Sequence, residues 1–189
     1  MRVSFFDTRK TRSETRKTIH EKQNIITLSL QIRKAVEADG DAIWEILQAA
    51  IAGGDSFAYP ADWSKKEMLE YWLAPTKHTY VALYDEAVVG TFFMHNNQPG
   101  RGAHIANASY TASPRASGKG VGKAMGLFSL DEARRLGYKA MQFNLVVKTN
   151  ERAVKLWQSI GFQIIGEIPE AFDHQTLGLV NAYVMYQKL

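Results

Sequence analysis

Three glycines at alternate positions, Gly118, Gly120 and Gly122, stand between a strand-like run ending near Thr111 and a run in which Val121, Ala124, Met125 and Phe128 repeat at helical spacing. No other feature constrains the fold as strongly. The first N–H groups of a helix have no intrahelical partner and carry the positive end of its dipole. Glycines ahead of them let a diphosphate approach the main chain closely. Lys119 and Lys123 add positive charge to this turn. Two common phosphate motifs do not describe it. The Walker pattern fails because Ser117 stands where its first glycine belongs and Ala124 where its magnesium-binding hydroxyl belongs. The dinucleotide pattern fails because Lys123 holds its third glycine position.

Around this turn the chain alternates strand-like and helix-like segments without repeats, which predicts one α/β or α+β domain. Leu28, Leu30 and Ile32 alternate with polar residues as a first strand. Asp39 is expected to cap a helix with Ile43, Ile46, Leu47 and Ala50 on its apolar face, closed by Gly53 and Gly54. After a loop over Asp55–Trp63, Ser64 and Glu67 form a capping box for a second helix that stops before Pro75. Strands are expected over Thr79–Tyr84, Ala87–His95 and Ala103–Thr111, the first two joined as a hairpin at Asp85-Glu86. Beyond the glycine turn and its helix come a strand over Met141–Val147 and a helix bearing Ala153, Leu156, Trp157 and Ile160. Two closing strands follow, over Phe162–Ile168 and roughly Leu177–Gln187.

Composition narrows the function. The 189 residues are 46% hydrophobic and 22% charged, enough apolar surface for a packed core in a single domain. The absence of cysteine removes disulfides, thiolate metal sites and cysteine nucleophiles. No run reaches the ~18 apolar residues of a membrane span. Residues 1–29 carry seven Lys/Arg against three Asp/Glu, a surplus equal to the +4 of the whole chain. The rest is neutral and offers no phosphate-tracking face for nucleic acid. Residues 1–27 therefore read as a basic, partly mobile N-terminal extension, either solvated or docked on a partner subunit.

The glycine turn resembles the acyl-CoA signature of the GNAT superfamily of N-acetyltransferases: Gln or Arg, two residues, Gly, one residue, then Gly or Ala. Here it runs Ser117-Gly118-Lys119-Gly120-Val121-Gly122, departing at Ser117. A second signature of that superfamily appears as Asn150, Ala153, Leu156, Trp157, Gly161 and Phe162, with Trp157 in place of tyrosine. Pro99–Gly102, His104–Asn107, Phe143–Asn150 and Leu156-Trp157 together look like the yeast-type acetyltransferases acting on azetidine-2-carboxylate and related proline analogues.

The resemblance covers residues 28–189. It implies a single GNAT domain with a central, mixed, mostly antiparallel sheet, a splayed parallel strand pair and about four flanking helices. It implies acetyl-CoA as co-substrate and no metal, with cofactor contacts from Ser109, Tyr110, Thr111, Ser117, Gly118, Lys119, Gly120, Val121, Gly122, Lys123, Asn150, Lys155 and Trp157. The main chain near Tyr110 would polarise the thioester carbonyl. Asn107 and Asn144 would contact the acceptor, a small-molecule amine such as an amino or cyclic imino acid. A primary amide can donate to a carboxylate while accepting from an amine. The same two asparagines would otherwise only satisfy strand-edge groups. Trp157 leaves the acid unassigned. His104 is the titratable side chain nearest the active strand, as a base or as a hydrogen-bonded structural histidine. His78, Asp173 and His174 are further titratable candidates, and Arg101 is an exposed-loop candidate for an acidic group on the acceptor or for an inter-subunit contact, or else a solvated charge. Phe57, Tyr59, Trp63 and Trp72 would wall an acceptor pocket or simply build core. The resemblance further implies a cytoplasmic protein, often a homodimer, with no nucleic-acid or membrane partner. Acetylation of a protein N-terminus or lysine, and CoA sensing without turnover, stay open as alternatives.

Overall fold

Leu30 and Ile32 alternate inward along the first strand, β1 (Leu30–Lys34), of a computed structural model that describes residues 30–189. The expected extension over residues 1–27 and the strand start at Leu28 lie outside the described residues. A 3-10 turn, Glu37–Asp39, then runs directly into α1 (Gly40–Ala52). The expected cap by Asp39 is corrected here: its side chain makes no capping bond. The 3-10 turn leaves Asp39 at φ −79 and ψ −8, already helical, so its carboxylate cannot reach forward to the next turn. It accepts instead from Arg33 at 2.7 and 2.8 Å and from the Val36 N–H at 2.8 Å. The capping box of α2 (Lys65–Trp72) forms as expected, with Ser64 Oγ accepting from the Glu67 N–H and the Glu67 carboxylate from the Ser64 N–H.

β2 (His78–Tyr84) and β3 (Ala87–Asn96) make the expected hairpin, with Asp85 and Glu86 at φ 51 and 64, as a two-residue primed turn requires. A 3-10 turn over Gly100–Gly102 delays β4 (Ile105–Ala112), so Ala103 and His104 fall before the strand, not on it. After the glycine turn come α3 (Val121–Arg135), β5 (Ala140–Val147) and α4 (Glu151–Ser159). β6 (Gln163–His174) runs six residues past its expected end, because a bulge between Ile168 and Phe172 carries it around Pro169 back into register with β7 (Gly178–Lys188).

The sheet order is β1-β2-β3-β4-β5-β7-β6, antiparallel throughout except for β4 and β5. Successive residues of β3 bury opposite faces, so Gly90–Met94 is one continuous buried run. Phe92 and Met94 join α3 and α4 in a core with Val121, Met125, Met141, Trp157 and Met185. Phe93 joins α1 and α2 on the other face, with Ile43, Leu47, Met68, Trp72 and Val81. No helix of the described residues is long and apolar enough to cross a membrane.

The feature that positions the site is the parallel pair. β4 and β5 are in register only at Ile105↔Ala140 and Ala106↔Met141. Beyond those two pairs the strands diverge, while β4 stays bonded to β3 as far as Ala112. The edge of β4 that faces β5 is therefore left without ladder partners from Asn107 onward. A bulge in the β5–β7 ladder between Phe143 and Val146 places Asn144 and Leu145 at the same gap.

Candidate active site

The gap opens into a cavity of about 1100 Å³ that passes from the α1/α2 side of the sheet to the α3/α4 side. This exceeds the ~300–1,000 Å³ usual for one small ligand. Asn107, Ser109, Tyr110, Thr111, Ser117, Gly118, Gly120, Val121, Gly122, Lys123, Asn144, Asn150, Lys155 and Trp157 all line it. Lys119 is not among them, and its Nζ lies 4.6 Å from the centroid of the Tyr84 ring.

At one end stands the glycine turn. Gly118 and Gly120 lie at φ 76 and 74, where a side chain is strained, although a Cβ on either would meet nothing within 4 Å. Gly122 serves a different need, since its Cβ would press to 3.2 Å on Leu156 of α4. The first helical bond of α3 is Ala124 N–H to Gly120 O, so the N–H groups of Gly120 to Lys123 precede any intrahelical partner. The Lys119 N–H is already taken by Ala116 O. Arg152, which sequence reasoning missed, leans from the start of α4 and donates to Ser117 Oγ at 3.2 Å. Beside it Asn150 caps α4 by accepting from the Ala153 N–H.

In the middle, Tyr110 and Trp157 form a wall. Tyr110 stacks on Phe92 and packs 4.8 Å from Trp157, and its hydroxyl pairs with Ser129 Oγ at 2.7 Å. Burial pushes that phenol well above its usual pKa. The side chain is thus engaged in core, and what Tyr110 presents to the gap is main chain. Trp157 packs against Phe143 and lies over Gly126, where a Cβ would come within 3.1 Å of its ring.

At the other end Phe57, Tyr59, Tyr71, Phe93 and His95 surround Asn107 and Ser109. Tyr59 donates to Ser109 Oγ at 3.1 Å, and the β6–β7 turn is tied over the same loop by Gln175 N–H to Gly54 O. Trp72 is fully buried, with its indole N–H on Thr91 Oγ1, and belongs to the core. Trp63 stacks on Tyr59 from outside the lining. Asn107 Oδ1 accepts from the Ala108 N–H, leaving its amide donors free of that bond. Asn144 accepts from Gln142 and donates to Asn97 Oδ1 at 2.7 Å.

His104 is exposed, its Nδ1 3.1 Å from Arg101 O, and stands off the cavity, as do Arg101, His78, Asp173 and His174. Among the described residues no group of three His, Cys, Asp or Glu is placed to hold a metal. His95, Tyr71 and Phe93 were missed in the sequence. The only available signal was the two-residue alternation Thr91, Phe93, His95, whose meaning depends on the pairing of β3 with β4.

Comparison with known proteins gives this geometry its context. Residues 43–162 match the model of the Acetyltransferase (GNAT) family. The N-acetyltransferase aca1 of Schizosaccharomyces pombe is 34% identical over 114 residues, 59% of this chain and 54% of that protein. The protein SPT10 of Saccharomyces cerevisiae is 27% identical over 88 residues, 47% of this chain and 14% of that protein. The chain thus spans about half, or less, of the curated relatives it matches. A GCN5-related N-acetyltransferase from Kribbella flavida is 42% identical with a TM-score of 0.82, covering 85% of this chain and 98% of that one. The protein yncA of Salmonella typhimurium, solved with its cofactor acetyl-CoA, shares the fold at 23% identity and a TM-score of 0.76, covering 85% of this chain and 94% of that one.

Proposed function

Since the chain belongs to the Acetyltransferase (GNAT) family, we propose that it is an N-acetyltransferase that uses acetyl-CoA to acetylate the amine of a small molecule, an amino acid or cyclic imino acid. One observation carries this reading. A single cavity joins an anion-binding helix start at Gly120 to an aromatic, asparagine-lined chamber at Asn107, across the unpaired edge of β4.

The residues present fit the co-substrate. Bare N–H groups at the start of α3, with Lys123, Arg152 and Lys155 on the rim, suit a pyrophosphate. The open edge of β4 from Asn107 to Thr111 suits an amide-bearing arm laid along it as a further strand. Acetyl-CoA supplies the activated acetyl thioester. The chain then supplies orientation, and main-chain donors near Tyr110 stabilise charge that develops on the thioester oxygen. Trp157 offers no acidic hydroxyl, so the departing thiolate takes its proton from the reacting amine or from water.

Enclosure supports a small acceptor. The loop carrying Phe57 and Tyr59 is pinned to β4 by Ser109 and to the β6–β7 turn through Gly54, which narrows the chamber against a polypeptide. The asparagines beside it suit a compound carrying both a carboxylate and an amine. On this reading two copies pair, supported by exposed Ile165 on β6, Leu177 in the turn and Leu179 at the start of β7; sedimentation at twice the chain mass is expected.

The test is free-thiol release from acetyl-CoA with azetidine-2-carboxylate, proline, primary amino acids, polyamines and short peptides. Fastest release with imino or amino acids is expected. Release with peptides alone would transfer the reading to protein acetylation. Binding of acetyl-CoA with no release across the panel would make the protein a sensor.

A further inference from the structure

At the acceptor end of the cavity His95 lines the wall and Lys77 sits just outside the lining, and neither has a role in the chemistry above. Alternation along β3 puts Phe93 and His95 on one face of the sheet, and register sets them opposite Ser109 and Asn107 of β4. His95 therefore lines the chamber next to the amide assigned to the acceptor. On the other flank His78 pairs with Met94, which brings Lys77, just before β2, level with His95. The Lys77 ammonium donates to Tyr71 O at 2.6 Å, 2.9 Å from the centroid of the Tyr71 ring and 4.2 Å from that of Phe93. The Phe93 and His95 rings are 5.6 Å apart. Two aromatic rings and an imidazole thus line the chamber, with the Lys77 ammonium set against the rings from outside the lining.

Among the described residues lining the cavity, His95 is the only imidazole and Asp55 the only carboxylate. Asp55 lies at the opposite mouth, near Asn150 and Arg152. The charge acting on His95 is that of Lys77 ahead of β2, Asn107 of β4 stands opposite it in register, and Tyr59 and Tyr71 line the same cavity. None of these is a carboxylate.

We propose that His95 takes the proton given up by the acceptor's ammonium group, with Lys77 as the charged neighbour that sets its readiness to do so. Burial first, and the Lys77 charge second, hold the imidazole below its ordinary pKa, while hydrogen bonding to the Asn96 main chain pulls the other way. His95 is accordingly neutral near pH 7, and a ring nitrogen has a lone pair for the proton. Burial likewise lowers Lys77 to about 8, so it is still mostly charged there. The inference rests on the acetyl-transfer reading above, and the proton count closes on it. The ammonium loses one proton to His95, and the freed nitrogen lone pair bonds to the acetyl carbon as the carbon–sulfur bond breaks. The second N–H proton goes to the departing thiolate, and imidazolium returns its proton to water. Products are the amide, the free thiol and one released proton.

The experiment measures kcat/KM against pH for wild type, His95→Gln and Lys77→Met, using the amine from the thiol-release panel that wild type turns over fastest. Acetyl-CoA affinity is measured alongside by calorimetry. The wild-type profile is expected to show an acidic limb. His95→Gln should bind acetyl-CoA as wild type does, fall about 10²-fold in kcat/KM at pH 7, and lose that limb. Lys77→Met keeps the apolar bulk but removes the cation, so the limb should move to higher pH. That shift tests the pair even if His95→Gln folds poorly. A wild-type limb and rate in His95→Gln would overturn the assignment of His95, and an unmoved limb in Lys77→Met would overturn that of Lys77. Wild type that binds acetyl-CoA but releases no thiol with any amine would overturn the acetyl-transfer reading itself, and the proton role with it.

Discussion

Tyr59 donates its hydroxyl to Ser109 Oγ across 3.1 Å, joining the loop between α1 and α2 to the strand that borders the parallel gap. Burial holds the phenol well above its ordinary pKa, so it stays a donor throughout the useful pH range. This bond closes the acceptor chamber against β4. Tyr59→Phe keeps the packing with Phe57, Tyr71 and Trp72 but frees the loop. Its stability cost should be about 1 kcal/mol, and KM for the amine should rise several-fold with acetyl-CoA affinity unchanged. Amine saturation curves check this, and an unaltered KM would remove the loop from acceptor binding.

Gly120 precedes α3 at φ 74 with open space around it. Gly120→Glu therefore fits sterically, at a strain of about 1–2 kcal/mol that the favourable site for an anion at the helix start partly offsets. Its carboxylate would occupy the place that the proposed reading gives to a phosphate. The variant should melt within a few degrees of wild type while its affinity for acetyl-CoA falls by at least about tenfold, a change of ~1.4 kcal/mol. Calorimetry that finds affinity unchanged would refute the assignment of this turn.

Asn144 is exposed at the β5 bulge and bonded to Asn97 and Gln142. Replacing it with alanine should leave stability within about 0.5 kcal/mol and raise KM for the acceptor without weakening acetyl-CoA. Equal losses in both would move Asn144 to the co-substrate's side.

Thr91 is fully buried, accepting from the Trp72 indole at 3.0 Å and donating to Tyr80 O at 2.9 Å. Thr91→Val keeps the shape but strands the indole N–H, at a cost of about 1–3 kcal/mol. At ~2–4 °C per kcal/mol for a domain of this size, thermal melts should drop by several degrees, and Thr91→Ser should recover part of the loss.

Asp39, held below its ordinary pKa chiefly by its hydrogen bonds from Arg33, predicts an acid-side effect. A depressed folded-state pKa stabilises above the unfolded value, near 3.9. That contribution fades as pH falls through the lower folded value. Arg33 is partly exposed, so the pair is worth less than about 1 kcal/mol. Asp39→Asn should lower stability by that amount at pH 7 and converge with wild type well below pH 4, as denaturant melts at the two pH values would show.

The conformation of the glycine turn was legible because it is local: Gly118 and Gly120 take positive φ directly ahead of α3, as backbone sterics require of glycine there. The capping box at Ser64 and the turn at Asp85-Glu86 were legible for the same reason. Asp39 was misread because Ser, Thr, Asn and Asp before a helix signal a cap only if the chain enters extended, and a 3-10 turn intervened. His104 was displaced from its expected strand by another such turn. Asn107 and Asn144 were assigned to one site through family resemblance, since nothing local says that β4 and β5 are neighbours.

Local backbone preference and apolar periodicity, both properties of a few consecutive residues, were enough to place the four helices and seven strands of the described residues and the glycine turn ahead of α3. The grouping of Lys77, Tyr71, Phe93 and His95 was decided only by tertiary structure. Its members come from β3, from the approach to β2 and from α2, and the β2–β3 register together with the packing of α2 on the sheet brings them together. The cavity has the same origin: it exists because two parallel strands part after two residue pairs, a consequence of packing on both faces of the sheet that no short stretch of chain encodes.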